Sequence, residues 1–255
     1  MEDAPDSSCS PSALLPNCAE PVTAPPEVAG SEVPAISARG AIWWEVAAVL
    51  AVAVIPHCVS TVSHLCAPLP ASVPPSPYWL DAFNLIVLGA CTVLVTLYLI
   101  ARSGEPWHRF GLFRPQILDA PLGALFLIVA VGLLYLLPAL PDLGIQGTSQ
   151  FSRPQSAGDY ALMVVKYLVA ALAEELVTRA YLITRLTTLL QSRGEAVLCA
   201  ACLFASYHAY QGLVGVAYSF AFGITYGAVF LAIHRVWPLV IGHALYNCWV
   251  ELVAS

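Results

Sequence analysis

Charged residues are scarce in this sequence. Asp, Glu, Lys and Arg together make up only 10% of the 255 residues, whereas 59% are hydrophobic and the mean hydropathy is +0.76. A soluble domain carries about a quarter of its residues as charged side chains. The composition is therefore not that of a soluble globular domain and is typical of a polytopic membrane protein.

Basic residues are absent from the first 32 positions, which contain six acidic ones. Residues 1–38 are rich in Pro, Ala, Ser and Glu and have no apolar periodicity, so we expect a disordered tail. A signal peptide is not expected, because no basic start is followed by an apolar core. The rest of the chain has no basic patch interleaved with aromatic residues, which argues against a nucleic-acid partner.

Seven apolar segments follow the tail. A helix needs about 20 residues to cross a bilayer, and the segments approach or exceed this length at residues 41–62, 80–101, 117–139, 161–190, 195–211, 213–233 and 236–253. The fourth is overlong and the fifth is short. The sequence predicts an all-α transmembrane bundle of about seven helices, forming one domain over residues 39–255.

Arginine residues cluster on one side of this arrangement. If the tail is cytoplasmic, the cytoplasmic side holds Arg39, Arg102, Arg109, Arg114, Arg193 and Arg235. Arg153 and Lys166 then lie outside, which agrees with the positive-inside rule and predicts a cytoplasmic N-terminus. Glu45 and Glu251 lie near helix ends, where we expect them to reach the lipid headgroups.

The fourth segment contains charges that a membrane helix normally lacks, in the stretch AALAEELVTRAYL (170–182). An ionisable group near the bilayer centre costs about 3 kcal/mol or more. Glu175 and Arg179 are four residues apart with the acid first, the favourable orientation for a helical ion pair. Glu174 is rotated by about 100° from Glu175. The spacing predicts one ion pair beside one unpaired carboxylate.

Two further segments contribute polar residues. His208 lies near the end of the fifth segment, in LFASYHAYQ, and His243 and Asn247 lie on one face of the last segment. One His on an apolar helix is usually a packed core residue. Two His, an Asn and a free Glu on three helices instead favour a polar site inside the bundle.

These side chains are suited to amide hydrolysis without a Ser or Cys nucleophile. A carboxylate withdrawn from water can accept a proton from a water molecule, and a His beside it can hold that water or pass the proton to the leaving amine. The other His and the Asn amide could donate hydrogen bonds to a developing oxyanion. We favour this metal-independent mechanism and expect no cofactor.

Zinc chemistry stays open as an alternative. Glu174, His208 and His243 could ligate Zn²⁺ and leave a position for water, although the HExxH spacing is absent. His57, His64 and Cys66 at the end of the first segment could also suggest a metal site. An exposed loop is favoured there, because no further ligand lies close in sequence.

The three motifs resemble those of the CPBP family, the CaaX-protease and bacteriocin-processing (Abi) type of intramembrane endopeptidases. They are Glu174-Glu175-x-x-x-Arg179, Phe204-x-x-x-His208 and His243-x-x-x-Asn247, and the resemblance covers about residues 160–253. It implies hydrolysis of a peptide bond in a membrane-associated protein or peptide. By this similarity Glu174 is the general base on water, assisted by His208. His243 and Asn247 then stabilise the oxyanion, and Glu175 and Arg179 support the site.

The family's bacterial members are associated with bacteriocin maturation, self-immunity, regulation and the processing of sorting tails, so the resemblance implies a bacterial plasma-membrane protein. Prenylated substrates are not expected. The alternative is a non-enzymatic membrane protein, either a proton-coupled transporter or an immunity-type binding protein on a degenerate protease scaffold. A transporter often has internal repeats, which are not evident, and no motif residue is missing.

Overall fold

A computed structural model describes residues 38–66, 76–136 and 153–253. Every regular element within these ranges is helical, which confirms the predicted all-α bundle. The predicted disordered tail lies outside the described residues, apart from Ala38, which begins the first helix.

Within the described residues the predicted apolar segments are helical, but three of them are divided, the fifth between Ser206 and Ala209. The helices are α1 (Ala38–Ala53), α2 (Ile55–Cys66), α3 (Tyr78–Arg102), α4 (Asp119–Leu136), α5 (Ala157–Glu175), α6 (Thr184–Leu190), α7 (Arg193–Ser206), α8 (Gly212–Ile233) and α9 (Trp237–Val253). A π-helix, Leu176–Ile183, joins α5 to α6, and 3₁₀ turns lie at Trp107–Phe110 and Ala209–Gln211. The first segment is divided at Val54, and the fourth changes helical geometry after Glu175.

The protein is an integral membrane protein. Among the residues that the structure describes, three helical stretches are long and apolar enough to cross a membrane: α3, α4 and residues Ala209–Ile233. Residues 39–63, taken as one span bent by 42°, are a fourth. Pro56 explains the bend, because it has no N–H to donate and its ring crowds the preceding turn. The remaining predicted segments are helical but do not by themselves meet the same length and apolarity.

Helix α5 lies between α3 and α9, and α9 also packs along α4. Small residues allow the α4–α9 approach. A Cβ at Gly242 would lie 2.8 Å from the Cβ of Phe126 and 2.9 Å from the carbonyl oxygen of Gly123. In a bilayer such small residues let helix backbones come close. This contact fixes α9 against α4 at Gly242, directly before His243.

A buried charged cluster ties α3, α5 and α9 together. Lys166 Nζ lies 2.6 Å from Glu251 Oε2, and the two side chains are 8% and 2% exposed. Tyr78 donates to Glu251 Oε1 at 2.6 Å, and the Tyr167 hydroxyl also donates to Glu251. The prediction that Glu251 reaches the lipid headgroups is wrong, because its face of α9 points into the bundle.

The same prediction is also wrong for Glu45. This side chain forms an ion pair with the buried Arg185 at 3.2 Å and accepts a hydrogen bond from Tyr181 at 3.2 Å. Position along a helix therefore does not reveal whether an acidic residue is free to meet lipid.

We expect Lys166→Met to lower the free energy of unfolding by about 3 kcal/mol. Removing one partner of a buried pair leaves the other charge uncompensated, although Glu251 keeps its two tyrosine hydroxyls. The double variant Lys166→Met/Glu251→Gln should lose less, since no charge is left behind. Thermal unfolding in detergent measures both. Wild-type stability of the single variant would contradict the assignment.

Candidate active site

The helical geometry changes at the predicted site. The π-helix begins directly after Glu175 and includes Thr178 and Arg179. The Thr178 hydroxyl donates to the main-chain carbonyl of Glu174 at 2.5 Å and accepts from Arg179 Nη1 at 2.6 Å. Short π-helical segments within α-helices are frequently found at functional sites. Here the side chain of Thr178 connects the backbone at Glu174 to the guanidinium of Arg179.

The ion pair predicted from spacing is present. Arg179 Nη1 lies 3.1 Å from Glu175 Oε1, and the two side chains are 1% and 0% exposed. The guanidinium also lies over the rings of Phe204, Phe222 and Tyr226, at 4.8, 5.5 and 5.5 Å from the ring centroids. Cation–π contacts of this kind help to stabilise a desolvated cation.

Glu175 also contacts α9. His243 Nδ1 lies 2.7 Å from Glu175 Oε1. Because an ionised carboxylate can only accept, Nδ1 carries the hydrogen, and Nε2 of a neutral ring is an acceptor. Nε2 lies 3.7 Å from Glu174 Oε2. The carboxylate of Glu175 thus orients the imidazole so that its other nitrogen faces Glu174.

The hydrogen on Nδ1 limits how His243 could donate a hydrogen bond to an oxyanion, the role expected of it from the sequence. A neutral ring with its hydrogen on Nδ1 cannot donate through Nε2. It could donate to an oxyanion only as an imidazolium, which the adjacent Glu175 carboxylate would stabilise.

Glu174 has different surroundings from Glu175. Its side chain is 26% exposed, and Oε2 has no hydrogen-bond partner among the described residues. It lines a cavity together with Ala53, Val54, His57, Leu85, Leu88, Gly89, Thr92, Ala170, Ala173, Val177 and Tyr207. Oε2 itself is buried. Glu174 is therefore a partly exposed carboxylate in the lining of a mostly apolar cavity.

His208 lies where α7 ends. Its Nδ1 is 2.7 Å from the Phe204 carbonyl oxygen, so Nδ1 carries the hydrogen and Nε2 is left as an acceptor. The Phe204 ring lies 4.5 Å from the His208 ring and 6.2 Å from the His243 ring. The rings of His208 and His243 therefore both lie close to the Phe204 ring. Within the described part of the chain, no hydrogen bond joins His208 to Glu174.

Asn247 is half-buried, one helical turn after His243. The structure therefore brings Glu174, Glu175, Arg179 and His243 into one connected group. His208 is joined to that group through the Phe204 ring. Asn247 lies on the same face of α9 as His243, which belongs to that group.

The predicted zinc ligands do not form a three-ligand set. Glu174 Oε2 and His243 Nε2, 3.7 Å apart, are close enough to share an ion. His208 is not brought to them, and no group of three His, Cys, Asp or Glu side chains in residues 38–66, 76–136 and 153–253 could hold a metal ion. Catalytic zinc sites usually have three protein ligands.

The prediction that His57 lies in an exposed loop is wrong. His57 lies on α2 and lines the same cavity as Glu174 and Tyr207. The signal that could have found it is Pro56, because a proline within an apolar segment indicates a bend. A polar residue directly after the bend can then face the bundle interior.

Residues 156–249 match a family model described as type II CAAX prenyl endopeptidase Rce1-like. No curated protein and no solved structure matches the chain. The matched range begins at the N-cap of α5 and ends in α9. It contains all six candidate residues: Glu174, Glu175, Arg179, His208, His243 and Asn247.

Proposed function

We propose that the chain is an intramembrane endopeptidase of the CPBP type, which the match of residues 156–249 to the Rce1-like family model supports, and that it hydrolyses a peptide bond with Glu174 as the base. The observation that carries this proposal is the contrast between adjacent carboxylates. Glu175 is fully buried and held by Arg179 and His243. The Glu174 side chain is 26% exposed and lines the cavity.

Water would be activated at Glu174. Its carboxylate accepts a proton from the water molecule while the water oxygen attacks the peptide carbonyl carbon, giving a tetrahedral oxyanion. Glu174 then delivers that proton to the leaving nitrogen as the C–N bond breaks. The products are a carboxylic acid and an amine, which exchange a proton at neutral pH to give a carboxylate and an ammonium group, and Glu174 regains its charge. His208 assists by accepting a hydrogen bond from the water through Nε2.

The oxyanion would be stabilised from α9. The Asn247 amide is a neutral donor, and His243 donates as an imidazolium whose charge is balanced by Glu175. A buried carboxylate orients and stabilises a catalytic imidazole in the same way in the Ser-His-Asp triad. Glu175 and Arg179 are therefore supporting residues that act through His243.

We propose a metal-independent reaction, because only Glu174 and His243 of the three candidate zinc ligands come together among the described residues, whereas a catalytic zinc site usually has three protein ligands. The substrate would be a membrane-anchored peptide or protein that enters the largely apolar cavity from the bilayer. We further propose that the protein lies in a bacterial plasma membrane with its N-terminus in the cytoplasm. Contacts of two predicted cytoplasmic residues support this orientation, because Arg39 donates to Leu189 and Arg109 to Thr188, at the same end of α6.

The proposal is tested with purified protein in detergent and a panel of membrane-anchored peptides in ¹⁸O-labelled water. We expect one ¹⁸O in the new carboxylate of the product, because water is the nucleophile, and no loss of rate with a chelator. A parallel preparation carrying Glu174→Gln reveals contaminating proteases. Inhibition by the chelator and recovery with zinc would contradict the metal-independent mechanism. Equal cleavage by the variant would contradict the role of Glu174.

A further inference from the structure

The break in the first membrane segment lies against the Glu174 cavity. Helix α1 ends at Ala53 and α2 begins at Ile55, with a bend of 42° between them. Three residues at the bend line the cavity: Ala53, Val54 and His57. Val54 and His57, three residues apart, both lie on the side of this bent segment that faces the cavity.

Helix α2 is held against the end of α7. The Thr61 hydroxyl donates to the Tyr207 carbonyl oxygen at 3.0 Å, and Cys58 Sγ lies 3.8 Å from Ser206 Oγ. The His57 ring is 5.5 Å from the Tyr207 ring. Tyr207 directly precedes His208. The position of His57 is therefore tied to the chain segment that carries a proposed catalytic residue.

A peptide in this cavity needs polar partners. Most lining residues are apolar, and the lining side chains with polar atoms are His57, Thr92, Glu174 and Tyr207. Non-helical backbone at membrane depth is tolerated only where protein or water satisfies its hydrogen-bonding groups. Glu174 is occupied with the reaction. An imidazole N–H elsewhere in the lining, at His57, is well suited to a peptide carbonyl.

We propose that His57 is a substrate-binding residue of this cavity, donating a hydrogen bond from its ring to a backbone carbonyl of the bound peptide. The proposal rests on the proposed function, since it takes the cavity as the peptide site. His57 lies outside the residues that match the family model, so the role is specific to the bent first segment.

The test measures binding and cleavage of one fluorescent membrane-anchored peptide that the wild type cuts. In the Glu174→Gln background, which binds without cutting, adding His57→Phe keeps an aromatic ring against Tyr207 but removes the donor. We expect Kd to rise about 3- to 10-fold, as for the loss of one neutral hydrogen bond. His57→Gln keeps a donor and should stay close to the background. In the active protein, His57→Phe should raise KM by a similar factor and leave kcat unchanged.

The matched control is His108→Phe, because His108 is exposed on the Trp107–Phe110 turn and does not line the cavity. It should change neither Kd nor KM. Equal Kd values for His57→Phe and the background would overturn the inference, and so would an equal loss with His57→Gln, which would assign the effect to ring packing. Cleavage by Glu174→Gln at the wild-type rate would instead reject the proposed function, while the binding comparison would still decide the role of His57.

Discussion

Glu174→Gln is expected to lower kcat/KM for a cleaved peptide by about 10³-fold. Gln has nearly the same shape but cannot accept a proton from water at neutral pH, and general-base catalysis contributes about 10²- to 10⁴-fold. The measurement is the cleavage rate of a single purified peptide at several concentrations. A loss smaller than tenfold would mean that another group activates the water.

The same substitution should leave the protein as stable as the wild type, or more stable. Oε2 of Glu174 has no hydrogen bond to lose within the described residues, and a charge in a membrane interior is costly. Thermal unfolding of the variant in the same detergent separates this case from a structural role. Unfolding of Glu174→Gln well below the wild-type temperature would show that the carboxylate stabilises the fold.

Glu175→Gln, unlike Glu174→Gln, is expected to destabilise the protein, lowering the free energy of unfolding by about 3–5 kcal/mol. The fully buried Glu175 carboxylate accepts from Arg179 at 3.1 Å and from His243 at 2.7 Å. A neutral Gln leaves the Arg179 cation without its counter-charge, and an uncompensated buried charge is strongly destabilising. Cleavage should fall as well, because His243 loses the acceptor that orients its ring.

The control is the double variant Glu175→Gln/Arg179→Met, which removes both charges together. It should recover part of the lost stability, and the difference between single and double variants measures the coupling between the two residues. Thermal unfolding of the wild type and these variants, including Arg179→Met alone, completes the cycle. Equal unfolding temperatures for Glu174→Gln and Glu175→Gln would contradict the contrast on which the active site is proposed.

Much of the site could be predicted because its signals are local. Glu175 and Arg179 are four residues apart, so helical geometry alone brings them together. The rotation between neighbours likewise separates Glu174 from that pair. The contact of Glu175 with His243 could not be found in this way. These residues lie 68 positions apart, and nothing local to either one indicates which helices are neighbours.

The π-helix and the direction of the bend at Pro56 could not be predicted from the sequence. The π-helix after Glu175 follows a sequence, LVTRAYLI, that fits an ordinary α-helix as well. The bend at Pro56 was open to prediction, but the direction in which it turns His57 was not. That direction depends on Thr61 and Cys58 contacting the end of α7.

The sequence by itself determined that this is a helical membrane protein, where its helices lie, and which polar residues interrupt them. Hydrophobicity and helical periodicity are properties of short stretches, so they can be read without knowing the fold. Only the tertiary structure decided which faces point inward, because helices such as α4 and α8 are apolar all round. It therefore decided that Glu251 meets Lys166 rather than lipid, that Glu175 orients His243, and that Glu174 lines the same cavity as His57.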